Sequence, residues 1–142
     1  MFELSDTPLE NLDARAGMAD PRAGAFVTFE GWVRDHNDGQ SVTRLEYEAY
    51  PALAVSEGKR ILAEARAAFD IVDARCVHRV GDLAIGELAV WIGVTAAHRG
   101  EAFRACQFII DEVKRRVPIW KKEHHAASDS GWINCHQLPA HS

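Results

Sequence analysis

The sequence predicts an α+β fold, in which two main helices pack on a mainly antiparallel sheet. Stretches that alternate like strands, or that are rich in β-branched and aromatic residues, surround two stretches with helical periodicity. Their order is β-β-α-β-β-α-β. No internal repeat or long linker divides the 142 residues, so we expect one domain over 1–142, with a lead-in over 1–22 and a less ordered tail over 133–142.

The first half of the chain predicts a hairpin followed by a helix. The stretches AFVTFEGWVR, 25–34, and VTRLEYEA, 42–49, predict two strands, and DHNDGQ between them carries the Asn-Asp-Gly sequence of a tight turn. We therefore expect these strands to pair with each other. Pro51 then opens a helix that we expect to end near Phe69, with its apolar residues on one stripe.

The second half predicts two more strands, a second helix and a last strand. IVDARCVHRV, 71–80, and ELAVWIGVTAA, 87–97, predict strands joined by a turn at GDL. The second helix should run from about Arg99 to Val117, where Pro118 stops it. GWINCHQL, 131–138, predicts the last short strand, and VPIWKKEHH, directly after the helix, is assigned no element.

The charge of the chain points to a small ligand rather than a polymer. Sixteen Lys plus Arg against twenty-one Asp plus Glu give a net charge of −5, which disfavours nucleic acid and anionic membranes as partners. The N-terminus lacks the pattern of a signal peptide, and the most apolar stretch is interrupted by Glu87, so we expect a cytoplasmic protein. One local excess of positive charge, free of carboxylates, suits a small anion: Lys114, Arg115, Arg116, Lys121 and Lys122.

The cysteines and histidines do not predict a metal site. Cys76, Cys106 and Cys135 show no CxxC spacing, so we interpret them as reduced thiols, and Cys106 falls on the core side of the second helix. His124 and His125 are adjacent, so they cannot share one helix face as metal ligands, and no HExxH sequence accompanies them.

Two candidate anion sites lie on the second helix. His98 and Arg99 stand at its start, where free N–H groups and the helix dipole favour an anion; the alternative is a capping histidine and a surface arginine. Lys114 lies on one stripe of the helix with Phe103, Gln107, Ile110 and Val117, which is mainly apolar, so we expect it to be half-buried. Either its ammonium reaches water, or it points into a cleft as a proton donor or nucleophile.

Two further candidates lie on segments next to predicted elements. Pro118 and Trp120 would hold Lys121 in a fixed place, although a surface lysine is the alternative interpretation. Arg34 stands at the mouth of the DHNDGQ loop, where the alternative is a solvated strand end. The residues after it in this loop, His36, Asn37 and Asp38, are interpreted as turn formers.

Three long stretches resemble the signature blocks of one family, the large, catalytic subunits of molybdopterin synthase. These are FEGWVRDHNDGQSVTRLEYEAY, HRVGDLAIGELAVWIGVTAAHRGEAF and DEVKRRVPIWKKE. They occur in the order of the family and cover most of the chain from about Phe26 to Trp132. Long ungapped strings agree, which makes the resemblance specific.

The resemblance implies an α/β hammerhead fold and a sulfurtransferase of molybdenum cofactor biosynthesis. It implies a homodimer within a heterotetramer, in which each large subunit binds a small ubiquitin-like sulfur-carrier subunit. Sulfur from the thiocarboxylate on the carrier's C-terminal Gly-Gly tail would convert cyclic pyranopterin monophosphate, precursor Z, to molybdopterin by forming a dithiolene. No cofactor and no catalytic cysteine are implied. The alternative is a non-enzymatic α+β binding module whose basic pocket holds an anion.

Matching the motifs residue by residue implies a pocket with catalytic Lys114 and Lys121. His98, Arg99 and Arg34 are expected to clamp the phosphate and pterin, while the two lysines line the point of sulfur transfer. Trp32 stands where some relatives carry a basic residue, so we expect its contact to be through the backbone. The full set of substrate-binding residues implied is Trp32, Val33, Arg34, His98, Arg99, Lys114, Lys121, Lys122 and Glu123.

Overall fold

The computed structural model describes residues 1–125 with their side chains and the backbone of 129–134. Within these residues the chain forms nine strands, two helices and a short 3₁₀ turn at Leu9–Asn11. The elements in chain order are β1 (Phe2–Ser5), β2 (Ala25–Trp32), β3 (His36–Asn37), β4 (Gln40–Ala49), α1 (Pro51–Ala68), β5 (Asp73–Arg79), β6 (Gly81–Ala84), β7 (Leu88–Ala96), α2 (Arg99–Arg116), β8 (Ile119–His125) and β9 (Asp129–Asn134).

Both helices lie where the sequence predicts them. Pro51 occupies the first turn of α1, where its missing N–H costs no hydrogen bond, and Phe69 ends the helix in an extended conformation. Val117 is also extended, because the proline after it disfavours helical backbone. In the part of the chain that the structure describes, neither helix combines the length and apolar character needed to cross a membrane.

The first sheet has the strand order β1-β5-β7-β2, and the two helices pack against it. β1 runs parallel to β5, and the other pairs are antiparallel. The lead-in is thus part of the fold: Phe2 is buried, and its ring lies so close to Gly58 of α1 that a Cβ there would stand 2.2 Å from Cγ of the ring. Other members of the main core include Ile61, Ile92, Ile109 and Val113.

The second sheet has the order β3-β4-β8-β9, and β6 also pairs with β4. The predicted hairpin between 25–34 and 42–49 is therefore wrong, because β2 pairs with β7 and belongs to the other sheet. The pairing of β2 with β7 is interrupted by a register shift between Gly31 and Trp32, near the end of β2. The tight turn does exist, with Asp38 at φ 51° and Gly39 at φ 79°, but it joins β4 to the two-residue β3.

Two segments near the ends of predicted elements form strands that the sequence did not predict. The predicted GDL turn lies in β6, where Leu83 pairs with Leu45 and is buried in a small core beside Val33. The segment after Pro118 forms β8, which pairs with β4. The last predicted strand overlaps β9, whereas 135–138 and the rest of the tail lie outside the described residues.

Candidate functional site

A pocket lies where the second sheet meets the ends of β2, β5, β7 and α2. It contains about 490 Å³ of empty space, a volume that includes open solvent, and about 40 Å³ of it has room for groups of the size of water. The pocket brings together five of the predicted site residues: Trp32, Arg34, Lys114, Lys121 and Glu123.

Strand β8 aims Lys121 and Glu123 into the pocket. Alternate residues of a strand face the same side, and Lys121 lies opposite Tyr47 while Glu123 lies opposite Leu45. The two side chains are buried, with only 5% and 6% of their residues' surface exposed. The Lys121 Nζ lies 4.0 Å from the Glu123 Oε2. From the sequence, Lys121 could be either a residue held in a fixed place or a surface lysine. In the structure its side chain is buried, so it is not a surface lysine.

Lys122 lies on the opposite face of β8. It pairs with Glu46 across the sheet, on the side away from the pocket, and it does not line the pocket. Nearby on this outer face, the imidazole of His124 is hydrogen-bonded to the Glu46 carboxylate. The motif match had placed Lys121 and Lys122 together, but the alternation of β8 separates them.

Lys114 is half-buried in the last turn of α2, as the sequence predicts. The stripe used to predict this is wrong in its first part, because Phe103 and Gln107 are exposed. Lys114 instead borders the buried face that ends at Val113. Since it also lines the pocket, the interpretation that it points into a cleft has structural support.

The neighbouring arginines do not join Lys114 at the pocket. Arg115 is exposed and pairs with Glu112 one turn earlier. Arg116 donates to Glu57 and Glu64 of α1, and these carboxylates hold its pKa above the ordinary value. Arg116 thus connects the two helices. Of the three consecutive basic residues, Lys114 lines the pocket, Arg115 is exposed to solvent and Arg116 contacts α1.

His78 is a polar lining residue that the sequence did not single out. Its Nδ1–H donates to the Arg79 carbonyl oxygen at 2.8 Å, so the neutral ring carries its lone pair on Nε2. Burial lowers the pKa of this imidazole to about 4, and the positive charge of Lys114 adds to the shift. The ring also packs edge-on against Tyr47, at 5.2 Å between centroids. A neutral histidine therefore lies beside the pocket lysines.

Arg34 and the β3–β4 hairpin form the mouth of the pocket. Arg34 is exposed, and its Nη2 lies 3.5 Å from the Asn37 Oδ1. The Asn37 Nδ2 donates to the Glu123 Oε2 at 2.6 Å. Asn37 is thus more than the turn former that the sequence indicated, and His36 beside it also lines the pocket. A contact across 86 residues leaves no local signal in the sequence.

Trp32 and Val33, which precede Arg34, differ in exposure. Trp32 is 64% exposed at the rim, and its indole Nε1–H donates to Glu30 at 3.0 Å. Val33 is buried in the small core, and its backbone N–H donates to the Glu87 carbonyl oxygen at 3.0 Å. Val33 therefore does not line the pocket, but it packs in the same small core as the lining residues Val42 and Leu45.

His98 and Arg99 lie at the opposite end of α2 from Lys114. His98 is the N-cap residue, but its side chain makes no capping hydrogen bond, and both residues are exposed. Arg99 precedes Lys114 by fifteen residues of helix, which corresponds to roughly 22 Å. Within one chain, the structure does not bring these two residues to the pocket.

The described cysteines are packed inside the protein. Cys76 and Cys106 are free and buried. Burial raises the pKa of the Cys76 thiol well above its usual range and that of Cys106 to about 11, so both stay protonated at neutral pH. The interpretation of Cys106 as a packing residue is confirmed, and Cys135 lies outside the described residues.

The chain is similar to known proteins over most of its length. The family described as MoaE protein matches residues 4–116. A molybdopterin synthase catalytic subunit of Thermoplasma volcanium is 42% identical over 130 residues, which are 92% of this chain and 95% of the relative. The crystal structure of molybdopterin synthase from Staphylococcus aureus superposes with a TM-score of 0.87 at 34% identity, covering 94% of this chain and 96% of that one. This match confirms the predicted α+β fold.

A more distant structure has the same fold. It is a protein–protein complex of subunits 1 and 2 of molybdopterin-converting factor from Helicobacter pylori 26695. The TM-score is 0.73 at 24% identity, and the match covers 90% of this chain and 87% of that one. The arrangement of two helices on mainly antiparallel strands thus persists at low sequence identity.

Proposed function

Because the chain belongs to the MoaE protein family, we propose that it is the catalytic subunit of a molybdopterin synthase, a sulfurtransferase of molybdenum cofactor biosynthesis. Its substrate is cyclic pyranopterin monophosphate, precursor Z. The sulfur donor is the C-terminal thiocarboxylate of a small ubiquitin-like carrier subunit. The observation that supports this proposal most directly is the pocket itself, which is lined by Lys114, buried Lys121 and Arg34.

The size and charge of the pocket fit a thiocarboxylate on a Gly-Gly tail. The room of about 40 Å³ for water-sized groups is more than a single water needs, so the pocket can take a group of a few atoms such as a thiocarboxylate. A tail of two glycines carries no side chains, so it needs little room to enter the pocket. The two lysines that line the pocket, Lys114 and Lys121, compensate the negative charge of the thiocarboxylate.

The two lysines have a defined task during the transfer. The sulfur of the thiocarboxylate bonds to a carbon of the pterin side chain and displaces an oxygen from that carbon, and the displaced oxygen takes up a proton. Water then adds to the acyl carbon and breaks its bond to sulfur, which leaves a thiolate on the pterin and a carboxylate on the carrier, and a second carrier supplies the second sulfur. Negative charge develops on oxygen in the second step. Ammonium groups fixed in a partly buried pocket stabilise such charge more strongly than water does, and they can supply protons. We assign these roles to Lys114 and Lys121.

The positions of His98 and Arg99 support a homodimer. They lie roughly 22 Å along α2 from Lys114, so they cannot reach the pocket of their own chain. Both are exposed and available to a second copy. We assign them to the pocket of the partner copy, where they hold the phosphate of precursor Z together with Arg34. In a two-fold dimer each pocket receives the same contribution.

The carrier subunit completes the proposed assembly as a heterotetramer. In the Helicobacter pylori structure, subunits 1 and 2 of the converting factor form a complex, which is in keeping with a two-protein enzyme here. We place the assembly in the cytoplasm, in keeping with the free thiols of Cys76 and Cys106.

A reconstituted reaction tests the proposal. The purified chain is mixed with thiocarboxylated carrier and precursor Z, and the dithiolene product is measured. We expect product with the thiocarboxylate and none with a control carrier that ends in an ordinary carboxylate. If the complete mixture yields no product while the chain alone binds precursor Z, the protein is a binding module and the enzymatic proposal is wrong.

A further inference from the structure

The side chain of Asn37 joins two sides of the pocket. Its Nδ2 donates to the Glu123 Oε2 at 2.6 Å, and its Oδ1 lies 3.5 Å from the Arg34 Nη2. The turn of this hairpin is made next to it, by Asp38 and Gly39 in the left-handed region. Glu123 lies in β8 and not in the β3–β4 hairpin, so the turn can form without the contact between Asn37 and Glu123.

Only one orientation of the Asn37 amide satisfies both neighbours. The NH₂ group faces a carboxylate, which can only accept, and the carbonyl oxygen faces a guanidinium, which can only donate. A flipped amide would place oxygen against the Glu123 carboxylate and NH₂ against Arg34, and both contacts would be repulsive. The amide is therefore matched to an anion on one side and a cation on the other.

The contacts continue from Glu123 into the pocket. Its Oε2 also lies 4.0 Å from the Lys121 Nζ, and its Oε1 lies 3.5 Å from the His125 Nε2. Glu123 is buried, so water contributes little to the direction of its carboxylate and these side chains restrain it. Of these three contacts the one with Asn37 is the shortest, and it restrains the carboxylate that faces Lys121.

We propose that Asn37 is a positioning residue that holds Arg34 and Glu123, and through Glu123 the ammonium of Lys121, in one arrangement around the anion site. This inference rests on the proposed function, since Arg34 and Lys121 are there assigned to substrate phosphate and sulfur transfer. The role proposed for Asn37 is to hold these side chains, not to carry out the transfer itself. Asn37 sets the distance between the cation at the mouth of the pocket and the cation at its base.

Replacing Asn37 by aspartate separates this role from a role in the hairpin alone. Asn37→Asp keeps the size of the side chain, and aspartate favours turns as asparagine does, so the hairpin tolerates it. It replaces the N–H donor by an oxygen that faces the Glu123 carboxylate. If Asn37 only shapes the hairpin, aspartate is harmless and alanine is the worse substitution. If Asn37 positions the two charged residues, aspartate is the worse one.

The experiment measures kcat and KM for precursor Z with thiocarboxylated carrier. Since hydrogen bonds to charged groups are the strong ones, we expect kcat/KM to fall about tenfold in Asn37→Ala and about a hundredfold in Asn37→Asp. Much of the loss should appear in KM, because Arg34 binds the phosphate in the ground state. Gln40→Ala, which removes an exposed amide opposite Asn37 in the same hairpin, is the matched control and should behave as wild type.

Two results would overturn the inference. One is wild-type kcat/KM in Asn37→Asp, which would leave the proposed function intact because the wild-type enzyme turns over. The other concerns the crystal structure of Asn37→Ala, where we expect the Arg34 and Glu123 side chains to move by about 1 Å or more. Unmoved side chains would show that Asn37 does not position them, even if the wild-type protein makes no dithiolene and the proposed function itself fails.

Discussion

The ammonium of Lys121 lies 4.0 Å from the carboxylate of Glu123, and both side chains are buried on one face of β8. A lysine kept from water needs a compensating charge, and Glu123 supplies it. The pair therefore holds the Lys121 side chain in a defined position at the base of the pocket. Lys122, the next residue along the strand, faces the other side of the sheet opposite Glu46.

This relationship predicts different effects for two adjacent lysines. Lys121→Met keeps the length of the side chain but removes its charge, so we expect turnover in the reconstituted reaction to fall about a hundredfold or more. Lys122→Met is the matched control and should stay within about twofold of wild type, because Lys122 lies on the face of β8 away from the pocket. Circular dichroism should show that both variants fold. Equal losses in the two variants would contradict the assignment of faces on β8.

The elements that the sequence predicts are those with local signals. Helix α1 begins at Pro51 and helix α2 ends before Pro118, and both prolines act on their nearest neighbours along the chain. The tight turn at Asp38 and Gly39 is likewise a matter of adjacent residues. The half-buried position of Lys114 follows from helical spacing at the end of α2.

The features that the sequence does not predict depend on contacts between distant segments. Alternation identifies β2 and β4 as strands but does not choose their partners, and β2 pairs with β7 instead of β4. Strand β8 escapes prediction because its inward positions include Lys121 and Glu123, so the usual apolar alternation is missing. The roles of His78 and Asn37 depend on strands brought together by the fold.

Buried His78 predicts a loss of stability in mild acid. The pKa of its imidazole is about 4 in the folded protein against 6.5 in the unfolded chain, so the unfolded state binds the proton first. The stability that depends on neutral His78 is present above pH 6.5 and is lost as the pH falls toward 4. Between pH 7 and 4.5 we expect wild type to lose about 2 kcal/mol more than His78→Gln, which cannot titrate.

Urea denaturation of both proteins at several pH values measures this difference. The comparison cancels the carboxylates that the two proteins share, including Asp20, whose pKa the Arg22 side chain holds at about 2. Parallel pH dependences would mean that His78 is not kept neutral by burial.

The contact between Phe2 and α1 predicts that Gly58 cannot be enlarged. Alanine favours a helix over glycine by about 1 kcal/mol, but its Cβ would stand 2.2 Å from Cγ of the Phe2 ring. Overpacking of this kind outweighs the gain, so we expect Gly58→Ala to destabilise the protein by about 1–2 kcal/mol in urea denaturation. Gly100→Ala is the control, since its Cβ would approach only the flexible end of Arg104, at 3.4 Å. If Gly58→Ala is instead more stable than wild type, the Phe2 ring of β1 can move aside to make room for the added Cβ.

The distance between Arg99 and Lys114 along α2 leads to a complementation test of the proposed dimer. Arg99→Ala and Lys114→Ala should each lose turnover. When the two variants are unfolded together and refolded in equal amounts, half of the dimers contain one chain of each kind. If Arg99 serves the partner's pocket, one of the two pockets in each mixed dimer is intact, so about a quarter of wild-type turnover should return.

A pocket built from one chain gives a different result. Each pocket of a mixed dimer would then lack either Arg99 or Lys114, and no turnover would return. Lys114→Ala mixed with Lys121→Ala is the matched control: these residues line the same pocket of one chain, so this pair should not complement. Recovery with the first pair and none with the second would place Arg99 in the partner's pocket, roughly 22 Å along α2 from the lysine of its own chain.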